Sequence, residues 1–113
     1  MYKREYGDYI EDIVDAMDKA MQFTENMDYS DFIHDNKTIF AVIRALEIIG
    51  EAVKKIPEDV RTNNPEIPWK RIAGMRDKVI HEYFGVKLEV VWTTVKEEIP
   101  ALKPLFQDIL KSK

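Results

Sequence analysis

The sequence predicts an all-α protein, an antiparallel four- to five-helix up-and-down bundle. Apolar residues recur every three to four positions along several long stretches, which is the period of an amphipathic helix. No stretch shows the strict alternation of a half-buried strand. Three of the five prolines lie together in one polar connector, so short loops are expected between the helices. We expect one domain over residues 1–113, because a chain of this length buries a single core.

Composition excludes several classes of protein. The chain has no cysteine, which rules out disulfides, thiolate metal sites and a cysteine nucleophile. No apolar run approaches the roughly 20 residues of a membrane span. The N-terminus lacks the apolar segment of a signal peptide. We therefore expect a cytoplasmic protein without membrane contact.

Charge is distributed unevenly along the chain. The net charge is -4, but residues 1–35 carry ten acids and three bases, whereas residues 36–113 carry 11 acids and 14 bases. Within residues 69–81 four bases accompany a single acid, Asp77. Such a local group of bases can hold a phosphate even in an acidic chain. Ordinary solvation is the simpler explanation for three of these bases, namely Lys70, Arg71 and Lys78.

The first predicted helix covers about residues 3–23, with its acids on the face opposite an apolar stripe. A short turn over residues 31–35 follows, and Ser30 or Asp28 can cap it. His34 lies in this turn, and we assign it no function. The stripe of the first helix is assigned to the core and consists of Tyr6, Tyr9, Ile10, Ile13, Val14, Met17 and Met21.

The second predicted helix, about residues 36–56, is apolar on two sides. A helix of this kind is buried on two sides, and in a small bundle a second copy of the chain can supply the second cover. Arg44 and Glu47 are spaced to form an ion pair on that side. We therefore expect a homodimer. The main stripe is Ile39, Val42, Leu46, Ile49, Val53 and Ile56, and the second side adds Phe40, Ala41, Ile48 and Ala52.

The remaining helices follow a polar connector, residues 57–68. The third helix is predicted from Trp69 to Gly85, because glycine is a natural C-terminal stop. The fourth covers about residues 88–98. Pro100 should interrupt it and lie in the first turn of a final segment, and Pro104 fits only if it lies in that first turn too.

Arg76 is the unusual residue of the third helix. On a helical wheel it lies in the middle of an apolar stripe, where an arginine is expected only if it is paired or lines a cleft. Asp77 and His81 are four residues apart, so the carboxylate can orient the imidazole. Arg76 and Tyr83 share a face, whereas Arg76 and His81 lie about 140° apart around the helix axis. The stripe contains Trp69, Ile72, Val79, Ile80 and Tyr83.

The residues alone leave the role of this helix open. The sequence lacks a glycine-rich phosphate loop, a zinc-binding HExxH and a GxSxG nucleophile motif. Arg76 can be a structural residue paired with Glu47 or Glu51, or it can line a cleft shared with His81. In a third interpretation the protein is a non-catalytic subunit that binds the nucleotide or substrate of a nucleotidyltransferase, with Arg76 on a phosphate.

The string RDKVIHEY, residues 76–83, resembles the RxxxxHxY form of the motif of the HEPN superfamily. The segments AVIRALEIIGEAVKKIPEDVR and NPEIPWKRIAGMRDKVIHEYFGV resemble the HepT-like toxins, and the resemblance extends over about residues 5–110. The resemblance implies an all-α homodimer whose two motifs face a shared cleft. It also implies the toxin of a type VII toxin–antitoxin pair, whose antitoxin is an MNT-type nucleotidyltransferase.

By the same resemblance, the activity is that of a metal-independent RNA endonuclease without cofactors. Arg76 and His81 take the catalytic positions, and Asp77 takes the supporting polar position. Tyr83 corresponds to the tyrosine that the antitoxin modifies with AMP. These assignments are expectations for the sections below.

Overall fold

The elements run in the order α1 (Tyr6–Phe23), α2 (Tyr29–Ile33), α3 (Asn36–Val53), α4 (Glu58–Asn63), α5 (Trp69–His81), α6 (Leu88–Thr93), a π-helical turn (Thr94–Glu98) and α7 (Ile99–Lys111). The computed structural model describes residues 4–81 and 87–112, and for residues 76–81 it describes the backbone alone. Every regular element of these residues is helical. The predicted all-α bundle is therefore confirmed.

The central helix of the bundle is α3. It packs against α1, α2 and α5, and nine of its 18 residues are buried. Ala52, on the second side, is 6% exposed, and only Phe40 and Arg44 of the middle of the helix are exposed. The main stripe is therefore buried as predicted, whereas the second side is buried only at Ala52. Ala41 and Ile48 are half-buried, and Phe40 is 59% exposed.

The first helix packs as its periodicity predicts. Ile10, Ile13 and Met17 are fully or almost fully buried, while several acids on the outer face form ion pairs. The guanidinium of Arg4 lies 2.7 Å from Asp12, and the ammonium of Lys19 lies 2.8 Å from Asp15. Lys103 of α7 pairs with Asp18. Basic side chains thus offset part of the acidic charge of this helix.

A capping interaction sets the start of α3. The carboxylate of Asp35 accepts hydrogen bonds from the backbone N–H of Thr38 at 3.1 Å and from its hydroxyl at 2.7 Å. This satisfies one of the amides that a helix N-terminus leaves without a partner. The side-chain hydrogen bond from Thr38 lowers the pKa of Asp35, because it favours the charged carboxylate.

The predicted polar connector, residues 57–68, contains a short helix that the sequence analysis did not predict. The connector forms α4, with Pro57 as its N-cap residue and Glu58 and Asp59 in its first turn. Both acids suit the positive end of the helix dipole. The prolines flank this helix and do not interrupt it, and six residues are too few to show a helical period in the sequence.

The last two predicted segments are joined through the π-helical turn. The backbone N–H of Ile99 donates to the carbonyl of Thr94, five residues earlier. Pro100 follows immediately and has no N–H to offer a regular helix, and it lies in the first turn of α7 as predicted. Pro104 lies inside α7 and not in its first turn, so that expectation is wrong. Among the described residues, no helix is long and apolar enough to cross a membrane.

The N-terminal half of α5 is fixed by side-chain packing. Trp69 is 8% exposed. Its indole N–H donates to the carbonyl of Asn64 at 3.0 Å, and its ring lies edge-on to Phe106 with centroids 5.5 Å apart. Ile72, one turn later, is fully buried, and Arg71 pairs with Glu98 of the π-helical turn at 2.8 Å. The start of α5 is thus held by α4, by α7 and by the turn that precedes α7.

Substitutions of Trp69 test how much its contacts at the start of α5 stabilise the fold. Replacing it with Ala should lower the free energy of unfolding by about 3–5 kcal/mol, because a large buried ring is lost. Trp69→Phe keeps most of the ring and loses the hydrogen bond to Asn64, so the loss should be only about 1–2 kcal/mol. Urea denaturation followed by circular dichroism measures both values. Equal losses for the two variants would contradict this account of the anchor.

Candidate functional site

The sequence motif lies at the C-terminal half of α5. Arg76, Asp77 and His81 are three of the last six residues described for this helix, Trp69–His81. Tyr83 lies outside the described residues. Along an ideal helix Arg76 and His81 are about 7.5 Å apart and about 140° apart around the axis. The structure therefore places the three residues on one helix, as predicted, and describes the backbone that carries them.

The backbone positions of Arg76 and His81 continue two different faces of α5. Position 76 is one turn beyond Ile72, which is fully buried. Position 81 is two turns beyond Gly74, which is exposed, and a Cβ built on Gly74 meets nothing within 4 Å. The first position of the motif therefore continues the helix face that contains the buried Ile72, and position 81 continues the face that contains the exposed Gly74.

Two of the acids considered as partners for Arg76 lie near another arginine. The guanidinium of Arg44 is 3.2 Å from Glu47 and 3.8 Å from Glu51, all on α3. The sequence predicted the first of these pairs, and it is confirmed. The Arg44 side chain is 60% exposed, so water screens this pair strongly and it contributes at most about 1 kcal/mol. The side chain of Arg76 lies outside the described residues, so its pairing with either acid stays a prediction.

A cluster of aromatic side chains holds helix α6, which follows the motif along the chain. Trp92 of α6 packs against Phe32 with ring centroids 5.2 Å apart and against Tyr29 at 6.1 Å. The ammonium of Lys96 lies 4.9 Å from the centre of the Trp92 ring and donates to the carbonyl of Thr24 at 2.8 Å. The end of α1, helix α2 and helix α6 are thereby joined.

Tyr29 also hydrogen-bonds across this junction. Its hydroxyl donates to Glu89 at 3.3 Å. Desolvation, followed by the nearby charge of Glu89, raises the pKa of Tyr29. The hydroxyl therefore stays protonated and keeps donating throughout the neutral range. No sequence pattern indicated this contact, because its two residues are 60 positions apart.

A groove between α1 and α3 is the other surface feature of note. It encloses about 420 Å³ and is floored by small and apolar residues. Two large apolar side chains are exposed among the described residues. Phe23, which lines the groove, is 41% exposed, and Phe40 is 59% exposed. The groove is lined by Asp12, Asp15, Ala16, Lys19, Phe23, Ala41, Arg44, Ala45 and Ile48.

The described side chains hold no group of three or more His, Asp or Glu residues that could bind a metal ion. Asp77 and His81 are outside that set, so the expectation of a site without metal stays a prediction. His34, to which the sequence analysis assigned no function, is exposed, and its Nδ1 lies 2.8 Å from the carbonyl of Ser30. This is a local turn contact.

Comparison with known proteins identifies the family. The family model described as "Ribonuclease HepT-like" matches residues 13–109. A Thermococcus cleftensis protein named "Probable ribonuclease HepT" is 55% identical over 109 residues, which is 96% of this chain and 99% of that protein. A Methanocaldococcus jannaschii protein named "Putative RNase MJ1216" is 51% identical and covers 98% of this chain and 92% of its own length.

A third relative has a lower identity. A Caldanaerobacter subterraneus protein named "Putative RNase TTE0752" is 43% identical over 103 residues, which is 91% of this chain and 92% of that protein. No solved structure gives a significant match. The family model and the relatives span the helix that carries Arg76 and His81, and on this evidence the chain belongs to the HepT-like ribonuclease family.

Proposed function

We propose that the protein is an endoribonuclease, the toxin of a type VII toxin–antitoxin pair, with Arg76 and His81 as its catalytic residues. Membership of the HepT-like family carries this proposal. It is supported by the complete RxxxxHxY string, whose arginine and histidine lie on one helix with a firmly packed beginning.

The proposed reaction uses the RNA's own 2′-OH as the nucleophile. That oxygen attacks the adjacent phosphorus, its proton passes to a base, and the bond from phosphorus to the 5′-oxygen breaks as this oxygen gains a proton. Histidine suits the proton transfers because its pKa lies near neutrality. The products are a cyclic phosphate and a 5′-OH, and the step requires no metal ion.

Arg76 would stabilise the charge that grows on the phosphoryl oxygens. Its guanidinium stays charged at every physiological pH and donates in a planar fork that matches a phosphate. A fixed cation of this kind acts most strongly where water is excluded, which suits a position on the line of the buried Ile72. Asp77, one turn before His81, would fix the imidazole tautomer.

The catalytic assignment predicts a large loss of activity for two variants. Arg76→Ala and His81→Ala should each lower the kcat of RNA cleavage in EDTA by at least about 100-fold, the usual effect of removing such groups. The variants should keep the oligomeric state of the wild type in sedimentation. Cleavage undiminished in both variants would rule out this site.

The chain offers matched controls for both substitutions. His34→Ala removes the other histidine, which makes only a local contact. Arg71→Ala removes an exposed arginine of the same helix. Both should cleave at a rate close to that of the wild type. Tight nucleotide binding by a wild-type protein that never cleaves RNA would instead favour the non-catalytic subunit of a nucleotidyltransferase.

Neutralisation by an MNT-type nucleotidyltransferase would act at Tyr83. AMP on its hydroxyl would add a bulky anion two residues beyond His81. That anion can block RNA sterically and can occupy Arg76 by charge. A single modification would then disable both catalytic groups.

Modification is tested by intact mass. Protein produced together with its partner nucleotidyltransferase should gain the mass of AMP and lose RNA cleavage, whereas protein produced alone should show neither change. Tyr83→Phe should remain unmodified and active in the presence of the partner. A Tyr83→Phe protein that still gains AMP would place the modification on another residue.

A homodimer is the assembly we propose, formed through the exposed side of α3 and the groove beside it. Phe40 is 59% exposed, and exposed large apolar side chains beside an apolar groove are typical of association surfaces. Arg44 and Glu47 on the same helix carry opposite charges, so a two-fold interface can place one opposite the other. The shared cleft would bring two copies of the motif together.

Phe40 tests this interface. Phe40→Lys should convert a dimer into a monomer in analytical ultracentrifugation and lower RNA cleavage, because a lysine cannot be buried unpaired. Ala101→Lys places the same side chain on an exposed position of α7 and should leave the dimer intact. An unchanged sedimentation coefficient for Phe40→Lys would exclude this face.

A further inference from the structure

Gly74 occupies an unusual position for a glycine. It is the sixth of the 13 residues of α5, in the interior of the helix. Glycine is the least favourable residue in a helix interior apart from proline, because it loses the most conformational freedom on folding. A left-handed backbone is the usual reason to keep a glycine, but φ is not positive at Gly74.

Packing within the chain does not require a glycine at this position either. Gly74 is exposed, and a Cβ built on it meets no atom of the described residues within 4 Å. The buried side of the helix lies elsewhere, since Ile72 is fully buried and is about 200° away around the axis. The glycine therefore destabilises α5 without improving any contact in the part of the chain that the structure describes.

A close approach from outside the chain is the remaining use of such a glycine. Without a Cβ, another molecule can reach the helix backbone to van der Waals distance. The open side of α5 is accessible for this approach, because Lys70 and Arg71, one turn before Gly74, are exposed as well. A surface of this kind suits a ligand that touches the helix backbone directly.

The residues around Gly74 favour a polyanion over a second helix as this ligand. Helices pack on one another through apolar stripes, whereas the described neighbours one turn before Gly74 are Lys70 and Arg71. Arg71 is paired with Glu98 at 2.8 Å, which offsets its charge. Even so, residues 69–81 carry four bases and a single acid, Asp77. A phosphate backbone is therefore a better match for this side of the helix than an apolar protein surface.

We propose that the sugar–phosphate backbone of the RNA lies directly against α5 at Gly74. This inference rests on the proposed ribonuclease function. Position 81 follows Gly74 by seven residues, which is about 10 Å along the axis and within about 20° of the same line. A strand bound at Gly74 is thus on the side of the helix that carries the backbone of His81. Gly74 is then a substrate-contact residue, whose missing side chain lets the strand lie closer to the helix.

The proposed contact at Gly74 depends on shape and not on charge. Backbone N–H and C=O groups in a helix interior bond to each other, so the strand gains van der Waals and weak Cα–H···O contacts there. A methyl group at this position would hold the strand away from the helix. A displacement of about 1 Å can lower the rate of an enzymatic reaction by about 100-fold.

Two substitutions at Gly74 separate the stability of the helix from its contact with RNA. Gly74→Ala and Gly74→Gln add a small and a long uncharged side chain, and both residues favour a helix. Gly74→Ala should raise the Tm by about 4 °C in circular dichroism, because the added Cβ has room. The same variant should lower kcat/KM for RNA cleavage by about 10-fold, and Gly74→Gln should lower it by about 100-fold. Stability and activity should therefore change in opposite directions.

Binding is measured separately from cleavage with a fluorescent 2′-fluoro RNA. This strand lacks the attacking hydroxyl, and its fluorine is small, so anisotropy reports the Kd of an intact strand. Gly74→Gln should raise the Kd by at least about 10-fold. The slope of log K against log salt should keep its wild-type value, because the variant removes no charge. Ala101→Leu, which enlarges an exposed residue of α7, is the control and should leave Kd and kcat/KM unchanged.

The outcomes distinguish this inference from the function it rests on. A wild-type protein that neither binds nor cleaves RNA removes both. A wild-type protein that binds and cleaves RNA, with both Gly74 variants equal to it, overturns the contact at Gly74 alone. A lower Tm for Gly74→Ala would show that the fold itself requires the glycine, and a changed sedimentation coefficient for Gly74→Gln would place a second copy of the chain there. Either of these two results also overturns the inference.

Discussion

The burial of α3 against α1 and α5 is the constraint on which the rest of the structure depends. Nine of its 18 residues are buried, and each fully buried aliphatic side chain contributes about 1.5–3 kcal/mol. Helices α1 and α5 both pack against it and so acquire fixed positions. Because α5 carries the motif, the packing of α3 also determines where Arg76 and His81 are presented, although neither residue belongs to α3.

The motif segment is anchored before its first residue and after its last. Trp69 and Ile72 fix the start of α5, and Trp92 fixes α6 against α2. Two sets of residues therefore have different roles. The anchoring residues contribute packing energy, and the motif residues contribute charge and proton transfer. Arg76 is conspicuous in the sequence because it is a charged residue that follows the apolar anchors of the same helix.

Periodicity predicted the long helices because each extends over several turns and buries a continuous stripe. It failed for α4, whose six residues span less than two turns, and for Pro104, which lies inside α7. The position of Arg76 within an apolar stripe could be predicted from the sequence, because a helical wheel depends only on the order of residues within one helix. The contact between Tyr29 and Glu89 was not, since it depends on how two distant helices are packed.

A net-acidic protein can still attract RNA if its charges are separated. The acids of α1 are partly offset by Arg4, Lys19 and Lys103, and α1 and α5 each pack on α3 at axis distances of about 8–10 Å. At physiological salt the Debye length is about 8 Å, so charges on the outer face of α1 are largely screened from α5. The charges nearest α5 therefore matter more there than the distant acids of α1, and net charge alone is a poor guide to the ligand of this fold.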